Sequence, residues 1–368
     1  MLLTEPIYQL ALGRVPSIGN VLAKTLAEHF ETAEAIFKAS LKQLCQVDGI
    51  SEVKAGNIRS FKDFEACQTE YSFLQKHSIR LLFVKDPDYP QRLLNCYDPP
   101  TILYYKGSAN LNGGRIISII GTRHLTDYGK QVTEQLVEGL STHGVTIASG
   151  MAFGIDTQAH RACVRFSVPT IGVLAHGLDT IYPAENAKLA KQMLEQQGGL
   201  LSEFPIGTKP DRHNFPTRNR VVAGLCDATV VVETDVKGGS MITAELALGY
   251  NRDVFAVPGR SSDAKSRGCN TLIKRNKAAL ITNAEDLLEA MNWLPAAEKK
   301  PHVQRSLFIE LTPAERTIVD LLNQKGHLHI DELNLKSGLN ASAAAGALLS
   351  LELQGVVQAM PGKVYKII

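Results

Sequence analysis

Tryptophan occurs once in the 368 residues, cysteine six times, and no run of about eighteen consecutive apolar residues appears anywhere. The missing run argues against a helical membrane span. The cysteines (Cys45, Cys67, Cys96, Cys163, Cys226, Cys269) are scattered, with no CxxC and no Cys/His pair at ligand spacing. That argues against a zinc site or a disulfide framework and predicts reduced thiols in a cytoplasmic protein. The opening MLLTEPIYQLALGRVPSIG carries Glu5 and Pro6 and lacks a basic n-region, so it makes a poor secretory leader. An excess of one charge is missing too. The net charge is +2, and any anion site must come from local clustering. No GxxxxGK[ST] is present, and no GxGxxG follows the first strand of the central region, which weighs against a Walker-type ATP grip and a dinucleotide. With no HExxH, no Ser-His-Asp order and no paired acids, no cofactor and no metal are expected.

What is present reads as a soluble chain of two or three domains, with 44% hydrophobic and 21% charged residues. Residues 1–65 predict short helices. LALGRVPSIGNVLAKTLAEHF and LKQLCQVDGISEVKAGNIRSF each place a hydrophobic-Gly turn between helical patterns, as tandem helix-hairpin-helix units do. This segment has seven Lys+Arg against eight Asp+Glu, so phosphate holding and pure packing both stand. Residues 66–293 predict an α/β domain. Apolar runs at IISII (116–120), VTIAS (145–149), TIGVLA (170–175), ATVVVE (228–233), DVFAVPG (253–259) and AALIT (278–282) alternate with amphipathic segments, which implies a parallel sheet covered on both faces. IRLLFV (79–84) and TILYYKG (101–107) suggest extra strands, and Asn283 reads as an N-cap. A linker is expected at 294–308. Residues 309–368 then predict three helices and a hairpin turning at Pro361-Gly362, a winged helix. Residues 341–355 contain no Lys or Arg, so this module suits packing or a protein contact better than base reading.

In an open α/β sheet, ligands bind beyond the carboxyl ends of the strands. There the sequence places Gly121-Thr122-Arg123, the loop from Gly150 to Gly154 with Asp156 as a helix cap, and Lys237-Gly238-Gly239-Ser240. Glycines let backbone approach a phosphate. Arg212 and HNFPTRNR (213–220) add Arg218, Asn219 and Arg220 as donors, with Phe215 as a stacking surface. The bland alternative is a surface turn whose arginines pair with Asp211 and Glu233. A basic stretch from Arg252 to Lys277 either extends the groove or is a solvated face. Asp235 and Lys237, with Asp227 upstream, imitate a nuclease metal site.

GTR, SGMAFGIDTQAH, FPTRNRVVAGL, VVETDVKGGSMITAELALGYNRDVFAVPG and GCNTLIKRNKAALI, in that order, resemble the DNA processing protein A (DprA, or Smf) family over about 110–292. The resemblance implies an extended Rossmann-like domain flanked by an N-terminal helical domain of helix-hairpin-helix or SAM type and a C-terminal winged helix. It implies binding of single-stranded DNA without cutting it, a homodimer with contacts near 254–275, and loading of the recombinase RecA, notably in natural transformation. Carried over by motif, Arg123, Phe215, Arg218, Asn219 and Arg220 would line the DNA pocket, and the glycine loops at 150–154 and 238–240 would hold phosphates. KGGSMITAE also resembles the PGGxGTxxE signature of nucleotide phosphoribohydrolases of the lysine-decarboxylase-like group. Glu245 aligns with their catalytic acid, but Met241 and Ile242 stand where that signature has Gly-Thr. That enzyme is the alternative reading.

Overall fold

Isoleucine and valine in short uninterrupted runs give the central sheet its strands, since β-branched side chains pack well on both faces of a pleated surface. The computed structural model describes residues 3–294, 311–360 and 363–367. Among them, nine strands form one sheet: β1 (Arg80–Phe83), β2 (Ile102–Gly107), β3 (Ile116–Ile120), β4 (Thr146–Ser149), β5 (Thr170–Leu174), β6 (Gly199–Ser202), β7 (Ala228–Val231), β8 (Asp253–Ala256) and β9 (Ala279–Leu280). Their order is β1-β2-β6-β5-β4-β3-β7-β8-β9. Strands β3 to β9 run parallel, and β1 and β2 add an antiparallel edge through β6. β6, written GLLS after a Gly pair, has no strand signature of its own; the ladders to β5 and β2 make it a strand.

Side chains alternate across the sheet with period two. Ile117 and Ile119 of β3 pack with Val132, Leu136 and Ala159 of helices Asp127–Leu140 and Ile155–Phe166, while Ile116 and Ile120 belong to the opposite core with Val221, Val222 and Ala247. His160, fully buried on helix Ile155–Phe166, donates from Nδ1 to Thr170 Oγ1 (2.7 Å), whose own hydroxyl donates to Ile147 O. Burial lowers its pKa to about 3. Asn283 caps helix Ala284–Ala290 as expected, accepting from the Asp286 amide.

The chain divides into two compact units, Met1–Pro295 and Ala296–Ile368. The N-terminal helices therefore belong with the sheet. The boundary expected at residue 65 falls inside helix Phe64–Lys76, and one core runs without a break from Ile7 to the sheet. Buried polar contacts cross the same boundary. Arg14 donates to Glu70 (2.6 Å), Glu70 accepts the Ile206 amide (3.0 Å), and Asn20 accepts from the amide and hydroxyl of Thr101 (2.9 Å each).

The linker expected at 294–308 lies, except for Leu294, outside the described residues. In the second unit, helices Pro313–Lys325, Ile330–Ser337 and Ala341–Leu353 pack around Ile318, Leu322, Leu333 and Leu351. Strands β10 (His327–His329), β11 (Val357–Met360) and β12 (Val364–Ile367) pair in the order β10-β12-β11, so the expected hairpin gains a third strand. Its turn at Pro361-Gly362 lies outside the described residues. No helix among the described residues is long and apolar enough to cross a membrane.

Candidate functional site

β4 lies on one side of β3 and β7 on the other, so the chain reverses its winding at β3 and leaves a crevice beyond the carboxyl ends of these strands. A cavity of about 550 Å³ occupies that place. Its walls are the Gly121–His124 turn after β3, Gly150, Ala152 and Asp156 after β4, the Thr234–Thr243 segment after β7, the start of helix Asn214–Leu225, and Lys265.

The turn after β3 is as tight as its sequence suggests. A Cβ on Gly121 would stand 2.5 Å from Ile155 Cγ1 and 2.8 Å from Glu233 O, so only glycine passes. The Thr122 amide donates to Glu233 O (2.7 Å), and the Thr122 carbonyl accepts from Ile155 N (3.1 Å). These bonds aim the exposed Arg123 side chain outward, with its guanidinium carbon 4.9 Å from the Phe215 ring centre.

The loop after β4 is more closed than expected. Gly154, at φ 81°, precedes the helix, and a Cβ there would meet Thr122 O at 2.1 Å. Gly154 borders a neighbouring groove with Phe153 and Arg161 rather than the main cavity. Asp156, expected as a cap, sits inside the helix with its carboxylate on the Ala152 amide (3.3 Å). The amides of Ile155, Thr157 and Gln158 are consumed by Thr122, Ala152 and Gly154 carbonyls, so this helix start offers a ligand little. The helix after β7, Gly239–Gly249, differs. It follows Gly238, whose amide donates to Asp235 O (2.8 Å), and its first residues, Gly239 and Ser240, line the cavity, where the opening amides of a helix have no intrahelical partner. The Ser240 hydroxyl is spent on Thr234 Oγ1 (2.7 Å).

The arginines of 212–220 have three different fates. Arg212 is exposed on the rim. Arg218 is 4% exposed and donates to the carbonyls of Gly150 and Val173 beneath the floor. Burial lowers its pKa to about 10, leaving it charged at neutral pH. It opposes the upward push of burial on Asp156, an acid that would otherwise work against anion binding. Arg220 leaves the predicted set. Two positions on from Arg218, it points to the opposite side of the helix, where it is buried against the Glu203 carboxylate and the Asp98 carbonyl. Burial pushes Glu203 up to about 7 against the pull of Arg220. Asn219 reaches the cavity and accepts from Arg218 Nε (3.2 Å). The alternative pairing does not form: Glu233 accepts from the Thr126 amide, and Asp211 from the His213 amide.

The sequence places Lys237 on the rim with its glycine turn but does not single out Lys265; both sit on the cavity wall. The clue to Lys265 was the basic stretch from Arg252 to Lys277. Of its other members, Arg252 donates to the carbonyls of Arg92 and Gly224, Arg267 pairs with Asp235, and Lys277 pairs with Glu245. The nuclease-like set comes apart, because Asp227 lies at the start of β7, bound by Arg92 (2.6 Å), while Asp235 lies beyond its end. No group of three His, Cys, Asp or Glu able to hold a metal occurs among the described residues. Glu245 does not line the cavity either; its carboxylate grips Lys277 Nζ at 2.7 and 2.9 Å.

The model of the family DNA recombination-mediator protein A matches residues 80–292, that of the DprA winged helix domain 306–363, and a helix-hairpin-helix motif 8–69. Protein Smf of Synechocystis is 39% identical over 303 residues, which cover 80% of this chain and 75% of that one. Among solved structures, DNA processing protein A from Streptococcus pneumoniae superposes with a TM-score of 0.67 at 31% identity, covering 78% of this chain and 98% of that one. DNA processing protein A from Helicobacter pylori, a protein with a unique single-stranded DNA binding mode, superposes with a TM-score of 0.52 at 33% identity, covering 58% of this chain and 95% of that one. A family match spanning more than half of the chain, on a sheet whose switch-point cavity carries its motifs, shows that the chain belongs to the DNA recombination-mediator protein A family.

Proposed function

We propose that this protein binds single-stranded DNA in the cavity beyond β3, β4 and β7 and delivers it to RecA, with no chemical step of its own. One observation carries the reading: four cations without a carboxylate partner among the described residues, Arg123, Arg212, Lys237 and Lys265, line one cavity together with the Phe215 ring and the helix start at Gly239 and Ser240. Phosphates are held by the cations and amides, and bases stack on Phe215. Nothing in such a trough reads a base pair, so binding has weak sequence preference and strong salt dependence. The single-stranded DNA binding mode of the Helicobacter pylori relative supports the same ligand. RecA delivery, a homodimer through the region of β8 and helix Arg267–Lys274, a place in natural transformation and a cytoplasmic location follow from family membership as parts of the same proposal.

The test is fluorescence anisotropy with single- and double-stranded oligonucleotides over a salt series. Four phosphate contacts give a slope of log affinity against log salt of about −3. Arg123→Ala reduces that slope by about 0.7, and Phe215→Ala weakens binding by about 1–3 kcal/mol for all sequences alike. Retention of duplex and single strand with equal, salt-independent affinity overturns the reading. RecA filament growth on a strand coated with single-strand binding protein checks delivery.

A further inference from the structure

One face of helix Ile155–Phe166, with the glycine before it, forms the wall of a second groove. Gly154, Thr157, Gln158 and Arg161 all line it, at the i, i+3, i+4, i+7 spacing of a single helical stripe. The Ala184–Asn186 turn contributes Glu185 and Asn186, and Arg123, His124 and Phe153 complete the lining. At about 590 Å³ the groove is as roomy as the main cavity. Arg123 and His124 border both, so the two spaces are continuous.

The groove repeats the chemistry of the cavity. Phe153 is 44% exposed, a large ring held in water as a bare stacking surface. Arg161 is exposed and makes no ion pair or side-chain hydrogen bond among the described residues. Arg165, one turn further along the same helix but outside the groove, is paired with Glu134. Gln158 is 9% exposed, and its side-chain amide makes no hydrogen bond among the described residues either. A ring and a guanidinium therefore recur here, as Phe215 and Arg123 stand together in the cavity. Glu185 is the one acid of the lining among the described residues, and it repels phosphate, which keeps a strand's backbone near the arginines.

We propose that this groove continues the single-strand path: the strand leaves the main cavity past Arg123, stacks a base on Phe153 and sets a further phosphate against Arg161. Continuity selects the occupant, because a polymer that fills the cavity meets Arg123 at the border of both spaces. From Gly154 to Arg161 the wall rises about 10 Å, enough for about two more nucleotides. This inference rests on the proposed single-strand binding and lengthens its footprint.

The experiment measures anisotropy of labelled oligo-dT, from about four to about sixteen nucleotides, with the full chain. Wild-type affinity keeps rising beyond the length that fills the cavity alone. Phe153→Ala binds the long oligomers about tenfold more weakly and the shortest within about twofold of wild type. Arg161→Ala reduces the slope of log affinity against log salt by about 0.7 for the long oligomers and leaves that of the shortest unchanged. Arg165→Ala, which removes the same charge outside the groove, matches wild type at every length. All three side chains are exposed, so the variants fold. Wild-type affinity of Phe153→Ala and Arg161→Ala at every length, or equal weakening at every length, overturns the extended path and leaves the general binding reading intact. No binding by the wild type at any length overturns both.

Discussion

The two ends of the central sheet are built from the same residue types and do opposite things with them. At the amino ends of β3, β7 and β8, every cation named here is used up. Arg92 forms a two-pronged pair with Asp227 (2.6 and 2.9 Å), Asp227 also accepts the Ile116 amide, Arg115 caps the His143 carbonyl, and Arg252 holds the Arg92 carbonyl. At the carboxyl ends, Arg123, Arg212, Lys237 and Lys265 stand around an open cavity. Strand direction explains the contrast. Helices begin at the carboxyl end of a parallel sheet, so amides and partial positive charge accumulate there. The lesson is that an arginine in an α/β protein is read by which end of the sheet it occupies.

The sharpest way to break that contrast is at Arg218, which lies at the carboxyl end yet is buried like the cations at the other. Arg218→Met leaves two carbonyls without their donor and the buried Asp156 without its neighbouring positive charge, and lowers stability by about 3–5 kcal/mol, measured by urea unfolding, where an exposed arginine would cost under 1 kcal/mol. At the opposite end, Arg92→Ala strips the Asp227 carboxylate and costs about 2–3 kcal/mol, and oligonucleotide affinity in the same preparation stays at the wild-type value. A smaller effect separates core from rim. His160 has its pKa lowered from 6.5 to about 3 in the fold. Below pH 6.5 the unfolded chain binds a proton that the native one refuses, so stability is complete above that pH and falls with acid. The loss is about 2 kcal/mol by pH 5, and His160→Gln flattens the unfolding profile between those pH values. The least effect is expected at Glu245, whose exposed pair with Lys277 is worth under about 1 kcal/mol. Glu245→Gln leaves oligonucleotide binding unchanged, and neither protein releases free base from nucleoside monophosphates. Release abolished by the substitution would restore the hydrolase reading.

Much of this was legible beforehand. IISII, VTIAS, TIGVLA and ATVVVE became β3, β4, β5 and β7 because buried parallel strands need nothing but continuous apolar side chains. Gly326, at φ 76°, ends the first helix of the winged helix, a position that favours glycine. β6 was missed because its partners, not its residues, define it. The packing of the N-terminal helices onto the sheet was not legible, since hydrophobic periodicity shows that a helix has a buried face but not what buries it. Arg220 was misplaced for a related reason. HNFPTRNR shows a cluster, and only the helical register and the approach of Glu203, 17 residues back, turn one arginine inward.

By itself the sequence determined the elements, the parallel character of the central sheet, the winged helix and the family, because hydrogen-bonding patterns, caps and apolar periods are local properties. The tertiary structure decided which cations stay unpaired, that Asp227 and Asp235 never meet, and that Arg220 turns inward to Glu203. Each of those depends on contacts between residues far apart in the chain. Their free energy is set by burial and by the order of strands, and neither is written in any short stretch of residues.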